Sequence, residues 1–250
     1  MDIRFDDKVV VITGGGSGIG HSCAEMFLES GATVAVLDIN LPSEITNKLQ
    51  EKGTALGYRV DVTDATAISH TISQVREELG EVDILVCSAG INIPKAAEFV
   101  TEYDWDKIFN VNVKGVFFSN QTVAIQSMIP RNSGVIINIG SIMGIVGGPK
   151  RAPYCASKGA VSLLTRQEAI EWSHYNIRVN AVAPTFVLTD MTKNYLNDPE
   201  FKSYVIHNIP LSHRMVSGQE VAAAVCFLAS EFASMITGII LPVDGGWTAQ

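Results

Sequence analysis

The chain has 250 residues, 47% of them apolar and 18% charged, with a formal net charge of −8 at pH 7. This length and apolar share allow a single compact α/β domain with a substantial core. The acidic balance, with no run of Lys or Arg to neutralise phosphates, argues against nucleic acid or a membrane surface as partner.

The N-terminal segment is acidic where a secretion signal would be basic, and its apolar run is too short for an export signal or a membrane span. The four cysteines are far apart and form no C-x-x-C pair, which suggests no zinc site and favours a reducing compartment. We therefore expect a cytoplasmic protein without a bound metal.

Short β-branched runs alternate with amphipathic segments of helical length along the chain. The predicted strands are Lys8–Ile12, Thr33–Leu37, Leu56–Val60, Ile84–Cys87, Gly134–Ile139, Arg178–Ala183 and a shorter Gly238–Val243. The predicted helices are Gly18–Ser30, Ser43–Lys52, Asp64–Leu79, Tyr103–Met128, Ala152–Ser173 and Ser217–Ser230. This alternation predicts a seven-stranded parallel sheet with helices on both faces, in one doubly wound domain of the Rossmann type over residues 1–250.

The first predicted strand runs into a glycine-rich turn, Thr13–Gly20, that opens the first helix. Glycines there allow close backbone approach, and the free N–H groups of the helix start attract a pyrophosphate. A strand before the turn and a helix after it favour dinucleotide binding. The residues expected to contact the dinucleotide are Gly14, Ser17, Gly18, Ile19 and Gly20.

The second predicted strand is followed by Asp38, at the spacing where a carboxylate accepts the ribose hydroxyls of adenosine and repels a 2′-phosphate. A turn or helix-capping role for Asp38 is the alternative. Neither Ser17 nor Ile39 offers the cation that a 2′-phosphate would need. The sequence therefore predicts NAD as cofactor in preference to NADP.

Tyr154 and Lys158 are one helical turn apart and share a face of the predicted helix. A neighbouring ammonium would lower the tyrosine pKa from about 10 towards a range useful for proton transfer. Ser141 stands just after the fifth strand, where ligands bind in open α/β sheets. These three residues form the candidate catalytic group.

A second pair, Tyr103 and Lys107, has the same spacing and serves as an internal control. Gly90 stands at the position that corresponds to Ser141, and the surroundings of Tyr103 are acidic. We interpret this second pair as structural.

A long connection at about 185–215 contains Pro199 and Pro210, with two short helix-like pieces between them. Such an insertion predicts a substrate lid, and a surface loop without a role is the alternative. The shape of the pocket would depend on this lid and on Met143, Phe186 and Met191. Lys150 and Arg151, just before the Tyr154 helix, could meet an anionic substrate, but a solvated loop pair is the favoured interpretation.

Taken in order, these motifs resemble those of the short-chain dehydrogenase/reductase family over the whole chain. The family's motifs correspond to Thr13–Gly20, Asp61-Val62, Cys87–Gly90, Asn112 within Asn110–Gly115, Ser141, and Tyr154 with Lys158. Two positions depart from the family pattern. Ser88 replaces an Asn that braces the strands, and Thr185 replaces a Gly that packs near the nicotinamide.

The resemblance implies a hydride transfer between a nicotinamide cofactor and a small-molecule alcohol or ketone. Ser141 would hold the substrate oxygen, Tyr154 would exchange its proton, Lys158 would bind the nicotinamide ribose, and Asn112 would hold a water. The further implied cofactor contacts are Asp61, Val62, Ser88, Gly90, Tyr154, Lys158, Pro184, Val187 and Thr189. The implied substrate contacts are Ser141, Met143, Tyr154 and Phe186.

The family also implies a homo-oligomer, a tetramer, with Trp247 expected to pack between subunits. The favoured substrates are polyols, sugars or sugar acids, by likeness to relatives that include gluconate 5-dehydrogenases. The alternatives are a 3-oxoacyl thioester reductase that uses NADPH, against which Asp38 speaks, and a catalytically silent dinucleotide sensor. Such sensors typically lack the tyrosine or the lysine, and both are present here.

Overall fold

The computed structural model of the chain describes residues 2–189 and 192–250, without the side chains of 194 and 195. Met191, expected to shape the pocket, lies outside the described residues. Seven parallel strands form one sheet in the order β3-β2-β1-β4-β5-β6-β7. The strands are β1 (Val9–Thr13), β2 (Thr33–Asp38), β3 (Ala55–Arg59), β4 (Ile84–Cys87), β5 (Gly134–Ile139), β6 (Ile177–Pro184) and β7 (Ile240–Val243).

All seven predicted strands are confirmed, with ends that differ by at most two residues. The seventh was predicted from Gly238 but begins at Ile240. Gly238 has a φ of 75°, outside the extended region, and the N–H of Ile239 donates to the side chain of Asn180 at 3.2 Å. The backbone conformation at Gly238 and the hydrogen bond of Ile239 therefore keep these two residues out of the strand, which begins at Ile240.

The helices lie in the connections between the strands, as predicted. They are α1 (Gly18–Glu29), α2 (Ser43–Gln50), α3 (Ala65–Leu79), α4 (Glu102–Phe109), α5 (Val116–Val123), α6 (Ile129–Arg131), α7 (Ala152–Trp172), α8 (Lys193–Leu196), α9 (Pro199–His207) and α10 (Gly218–Ala229). Two π-helical segments, Asn110–Gly115 and Ala124–Met128, join α4, α5 and α6 into one run over 102–131. Asp64 caps α3, and Ser217 forms a capping box with Glu220 at α10.

The sheet separates two apolar layers, because successive side chains of a strand point to opposite faces. Val10 and Ile12 of β1 pack in one cluster with α1 and α10. Val9 and Val11 pack in the other with α3, α5 and α7. The doubly wound α/β fold is thus confirmed.

A chain of buried polar side chains crosses the second layer. The Asn120 amide donates to Glu168 at 2.8 Å and to Asn138 at 3.2 Å. Asn138 in turn donates to Thr165 at 3.0 Å, and the Cys87 thiol donates to Asn120 at 3.1 Å. This network ties β4, β5, α5 and α7 together beneath the end of the sheet where the groove described below opens.

The segment predicted as a lid packs against the body of the chain through a third apolar cluster. Its two short helices are present, although α8 precedes Pro199 instead of following it. Val205 of α9 is buried in this cluster with Phe186 and Trp247. Trp247, expected between subunits, is thus buried within its own chain, 5.7 Å from the Phe186 ring. No helix in the described part of the chain is long and apolar enough to cross a membrane.

Candidate active site

A groove of about 670 Å³ opens at the carboxyl ends of the strands, where the winding reverses between β1 and β4. This switch point is the usual ligand site of open α/β sheets. Most residues predicted to contact cofactor line the groove: Gly14, Ser17, Gly18, Ile19, Asp38, Asp61, Val62, Ser88, Gly90, Tyr154, Lys158, Pro184, Val187 and Thr189.

The glycine-rich turn is packed so closely that side chains are excluded from it. Gly14 has a φ of 68°, and a Cβ there would lie 2.6 Å from the backbone N of Ala89. A Cβ on Gly20 would lie 2.3 Å from the carbonyl oxygen of Gly14. Gly20 is not among the groove-lining residues, so its place is in the contact between turn and helix.

Asp38 has the turn contacts of one interpretation and a position that is compatible with the other. Its carboxylate accepts the N–H of Gly16 at 3.0 Å and that of Asn40 at 2.9 Å, so it braces the turn. It also lines the groove beside Ile39, which is 50% exposed. Each carboxylate oxygen has a further lone pair with which it can accept a ribose hydroxyl.

Asp61, Val62, Tyr103 and Lys107 lie together along the groove wall. Val62 packs on the backbone of Gly115, where a Cβ would lie 2.9 Å from Val62 Cγ2. Tyr103 is 71% exposed, and Lys107 Nζ lies 5.8 Å from its ring centroid. The pair interpreted as structural therefore lines the groove, with its tyrosine in solvent.

Ser141, Tyr154 and Lys158 all line the groove. Ser141 is buried and accepts the N–H of Met143 at 3.1 Å, which leaves its own hydroxyl hydrogen available as a donor. Lys158 is buried, donates to the Ile139 carbonyl at 2.7 Å and lies 5.9 Å from the Tyr154 ring centroid. Burial lowers the pKa of Lys158 to about 8, because the charged form is desolvated.

Asn112 lies behind this group, in the π-helical segment, a type of irregularity frequent at functional sites. Its amide donates to the Ile91 carbonyl and to Ser157 Oγ, both at 3.0 Å, and its Oδ1 accepts the Ile91 N–H at 2.8 Å. A Cβ on Gly90 would lie 3.4 Å from Asn112 Oδ1 and 3.7 Å from Lys158 Nζ. Asn112 thus links the loop after β4 to the helix of Tyr154.

The segment after β6 forms the opposite wall. A Cβ on Gly18 would lie 3.1 Å from Thr189 Cγ2, so this wall touches the glycine turn. Thr192 donates to the Val187 carbonyl at 2.5 Å and holds the loop together. Thr185, one of the two residues that depart from the family pattern, is buried, and its Oγ1 has no hydrogen-bond partner.

A small side cavity of about 60 Å³ adjoins the groove and shares Ser141, Tyr154, Thr185 and Thr192 with it. The remaining described residues of its wall are Asn92, Ile142, Met143, Arg151 and Phe186. Met143 and Phe186, which were predicted to contact substrate, both lie in this wall.

The interpretation of Arg151 as a solvated loop residue is wrong, because Arg151 is only 5% exposed. Its guanidinium lies 5.3 Å from the ring centroids of both Phe186 and Phe201. Arg151 is the N-cap residue of α7, three residues before Tyr154, and both residues line the side cavity. This spacing was the available signal, whereas Lys150 is exposed as expected.

The donor set of the groove fits a nicotinamide dinucleotide. The turn offers backbone N–H groups without side chains in the way, at the start of α1, where a pyrophosphate binds. Asp38 offers acceptors to an adenosine ribose, and Lys158 offers a cation at the far end.

Comparison with known proteins gives consistent relatives over the whole chain. A family model described as enoyl-(acyl carrier protein) reductase matches residues 14–248. The chain is 36% identical to the NAD-dependent glycerol dehydrogenase of Listeria innocua serovar 6a, over 100% of this chain and 97% of the relative. It is 39% identical to a 3-oxoacyl-[acyl-carrier-protein] reductase of Thermotoga maritima, over 98% and 99%.

Among solved structures, a gluconate 5-dehydrogenase from Burkholderia cenocepacia in complex with NADP and tartrate is 33% identical, with a TM-score of 0.94. The match covers 100% of this chain and 98% of that one.

Proposed function

The chain belongs to the short-chain dehydrogenase/reductase family and is an NAD(P)-dependent oxidoreductase of CH–OH groups, and from this premise we propose that it oxidises polyols, sugars or sugar acids with NAD. The observation that carries the proposal is the buried Lys158 beside Tyr154, with Ser141 lining the same groove. When bound, the nicotinamide supplies or accepts the hydride.

In the proposed mechanism the protein handles the proton and the developing charge. Ser141 donates its hydroxyl hydrogen to the substrate oxygen and stabilises negative charge there. Tyr154 takes the alcohol proton in oxidation, or returns one to the carbonyl in reduction. Lys158 favours the phenolate by its charge and binds the nicotinamide ribose. Asn112 acts as a positioning residue and holds a water that connects Lys158 to solvent.

The preference for NAD rests on Asp38. A 2′-phosphate at this place would meet a carboxylate already fixed by Gly16 and Asn40, so like charges would repel. The Listeria relative is named NAD-dependent, whereas the Burkholderia structure contains NADP. A direct comparison of the two cofactors at equal concentration tests the preference.

The segment at about 185–215 is proposed as the substrate lid, since α8 and α9 pack over Phe186 at the side cavity.

We also propose a cytoplasmic homotetramer. Leu163 and Ile170, two helical turns apart on α7, are 66% and 70% exposed, and Ile125 is 59% exposed. Apolar side chains so exposed in one chain are typical of a surface that a second subunit covers. Light scattering after gel filtration measures the mass.

A 3-oxoacyl thioester reductase is the second candidate, because the Thermotoga relative carries that name. The deciding experiment follows NADH formation over a panel of polyols, sugar acids, hydroxysteroids and simple secondary alcohols. A parallel arm follows NADPH consumption with a 3-oxoacyl thioester. Turnover confined to the thioester arm contradicts the proposal.

A further inference from the structure

We propose that the substrate carries a carboxylate and that Arg151 binds it in the side cavity. The substrate class is therefore the hydroxy acids and their oxo acids, in preference to neutral polyols. This inference rests on the proposed function, because it places the reacting alcohol at Ser141 and Tyr154.

The first support is the position of the cation. Arg151 and Tyr154 lie one turn apart at the start of α7, and both line the side cavity. None of the described residues of this cavity wall is acidic, so an anion entering it meets no carboxylate among them. A guanidinium offers a planar fork of N–H donors that matches a carboxylate, and such charge-assisted bonds are strongest away from water.

The second support is that the backbone is bent to direct Arg151 inward. Lys150 has a φ of 59°, in the left-handed region that non-glycine residues rarely adopt. The carbonyl oxygen of Lys150 accepts the N–H of Lys95 at 2.9 Å, which holds the bend against the loop after β4. Two aromatic rings, of Phe186 and Phe201, then flank the guanidinium. Its Nη1 donates to the Pro149 carbonyl at 3.0 Å, so the guanidinium is held in place between its own loop and these rings.

The third support is a pair of buried polar atoms in the same wall. Asn92 Oδ1 and Thr185 Oγ1 have no hydrogen-bond partner, and a buried polar atom left unpaired is costly. Asn92 can accept a substrate hydroxyl, and Thr185 can donate to a carboxylate oxygen. The cavity of about 60 Å³ has room for a carboxylate-sized group, while the reacting carbon lies at the wall shared with the groove.

The test compares each acid with its own amide, for example 3-hydroxybutyrate with 3-hydroxybutyramide and gluconate with gluconamide. The two members of a pair differ in charge but hardly in shape. We expect the wild-type enzyme to oxidise at least one acid with a kcat/KM at least 10 times that of its amide. Arg151→Met should reduce kcat/KM for that acid about 100-fold, mainly through KM, and change the amide less than threefold. Lys150→Met, which removes a neighbouring exposed cation, is the matched control and should leave the acid-to-amide ratio unchanged.

Two further measurements keep the outcome decisive. NADH affinity and thermal unfolding report whether Arg151→Met is folded, and Arg151→Lys should recover part of the acid preference if the variant to Met is unstable. Calorimetry with 2-hydroxyisobutyrate, a tertiary alcohol that cannot be oxidised, and its amide measures binding to the NAD complex without turnover.

Equal loss for acid and amide in Arg151→Met, or a wild-type preference for amides, overturns the inference while leaving the proposed function intact. If no alcohol is oxidised at all, the proposed function fails. In that case the calorimetry alone decides the inference: wild-type binding of the acid that Arg151→Met abolishes supports it, and equal binding of acid and amide overturns it.

Discussion

The buried carboxyl of Glu168 gives a sharp prediction about stability. Burial raises the pKa of Glu168 from 4.5 to about 8, although the hydrogen bond from Asn120 acts in the opposite direction. Between these two pH values the folded protein keeps a proton that the unfolded chain has released. This group's contribution to stability is therefore fully present below pH 4.5 and is lost as the pH rises to about 8.

The magnitude follows from the width of this window. One proton contributes about 1.4 kcal/mol per pH unit, so the free energy of unfolding should fall by about 3 kcal/mol between pH 5 and pH 7.5. Glu168→Gln has no proton to lose and should lack this fall. The glutamine amide would be buried where Glu168 Oε1 has no hydrogen-bond partner, and this would lower the free energy of unfolding by about 1–3 kcal/mol. That loss does not depend on pH.

Urea unfolding at pH 5, 6, 7 and 7.5, at a fixed protein concentration, measures the free energy for wild type and variant. The quantity compared is the difference between the two proteins, since other groups titrate equally in both. Glu51→Gln, at an exposed position, is the control and should give a constant difference. A constant difference for Glu168→Gln as well would refute the reasoning, because the carboxyl would then titrate alike in the folded and unfolded states.

Three further predictions concern the groove. Tyr154→Phe should lower kcat about 1,000-fold with NADH affinity retained, whereas Tyr103→Phe should leave steady-state kinetics unchanged; similar rates for the two variants would contradict the assignment. Asp38→Asn should reduce the ratio of kcat/KM with NAD to that with NADP at least about 10-fold, and an unchanged ratio would remove Asp38 from cofactor choice. Burial lowers the pKa of Lys158 from 10.5 to about 8, so its charge destabilises the fold at pH 7 and this effect disappears as the pH rises to 10.5. Lys158→Met should therefore abolish turnover, and its stability to urea relative to wild type should fall by about 3 kcal/mol between pH 7 and pH 10.5. A relative stability that does not change over this range would contradict the reasoning.

The sequence was sufficient for features that depend on local pattern. The strands, the glycine turn and the Tyr154–Lys158 spacing each depend on only a few neighbouring residues. The strands form as predicted, and residues of the turn, Tyr154 and Lys158 line the groove at the carboxyl ends of the strands. Asp38 was open between a turn role and ribose binding because one carboxylate can serve both; the structure shows its turn contacts and its place at the groove.

Features that depend on distant contacts were missed. Arg151 lines the cavity after a left-handed Lys150, and α9 brings Phe201 within 5.3 Å of its guanidinium. No periodicity in the sequence predicts the conformation of Lys150 or the contact between Phe201 and Arg151. Glu168 likewise lies on an otherwise ordinary helix, and only the fold brings Asn120 to it.

The closeness of Gly20 to Gly14 has a consequence for redesign of cofactor use. With 2.3 Å between a Cβ on Gly20 and the Gly14 oxygen, even alanine at Gly20 would force the first helix away from its strand. Ser17 and Ile39 are exposed at the same groove and have room for longer side chains. An engineer who wants to strengthen the binding of a phosphorylated dinucleotide should therefore leave Gly14 and Gly20 unchanged and introduce cations at those two positions.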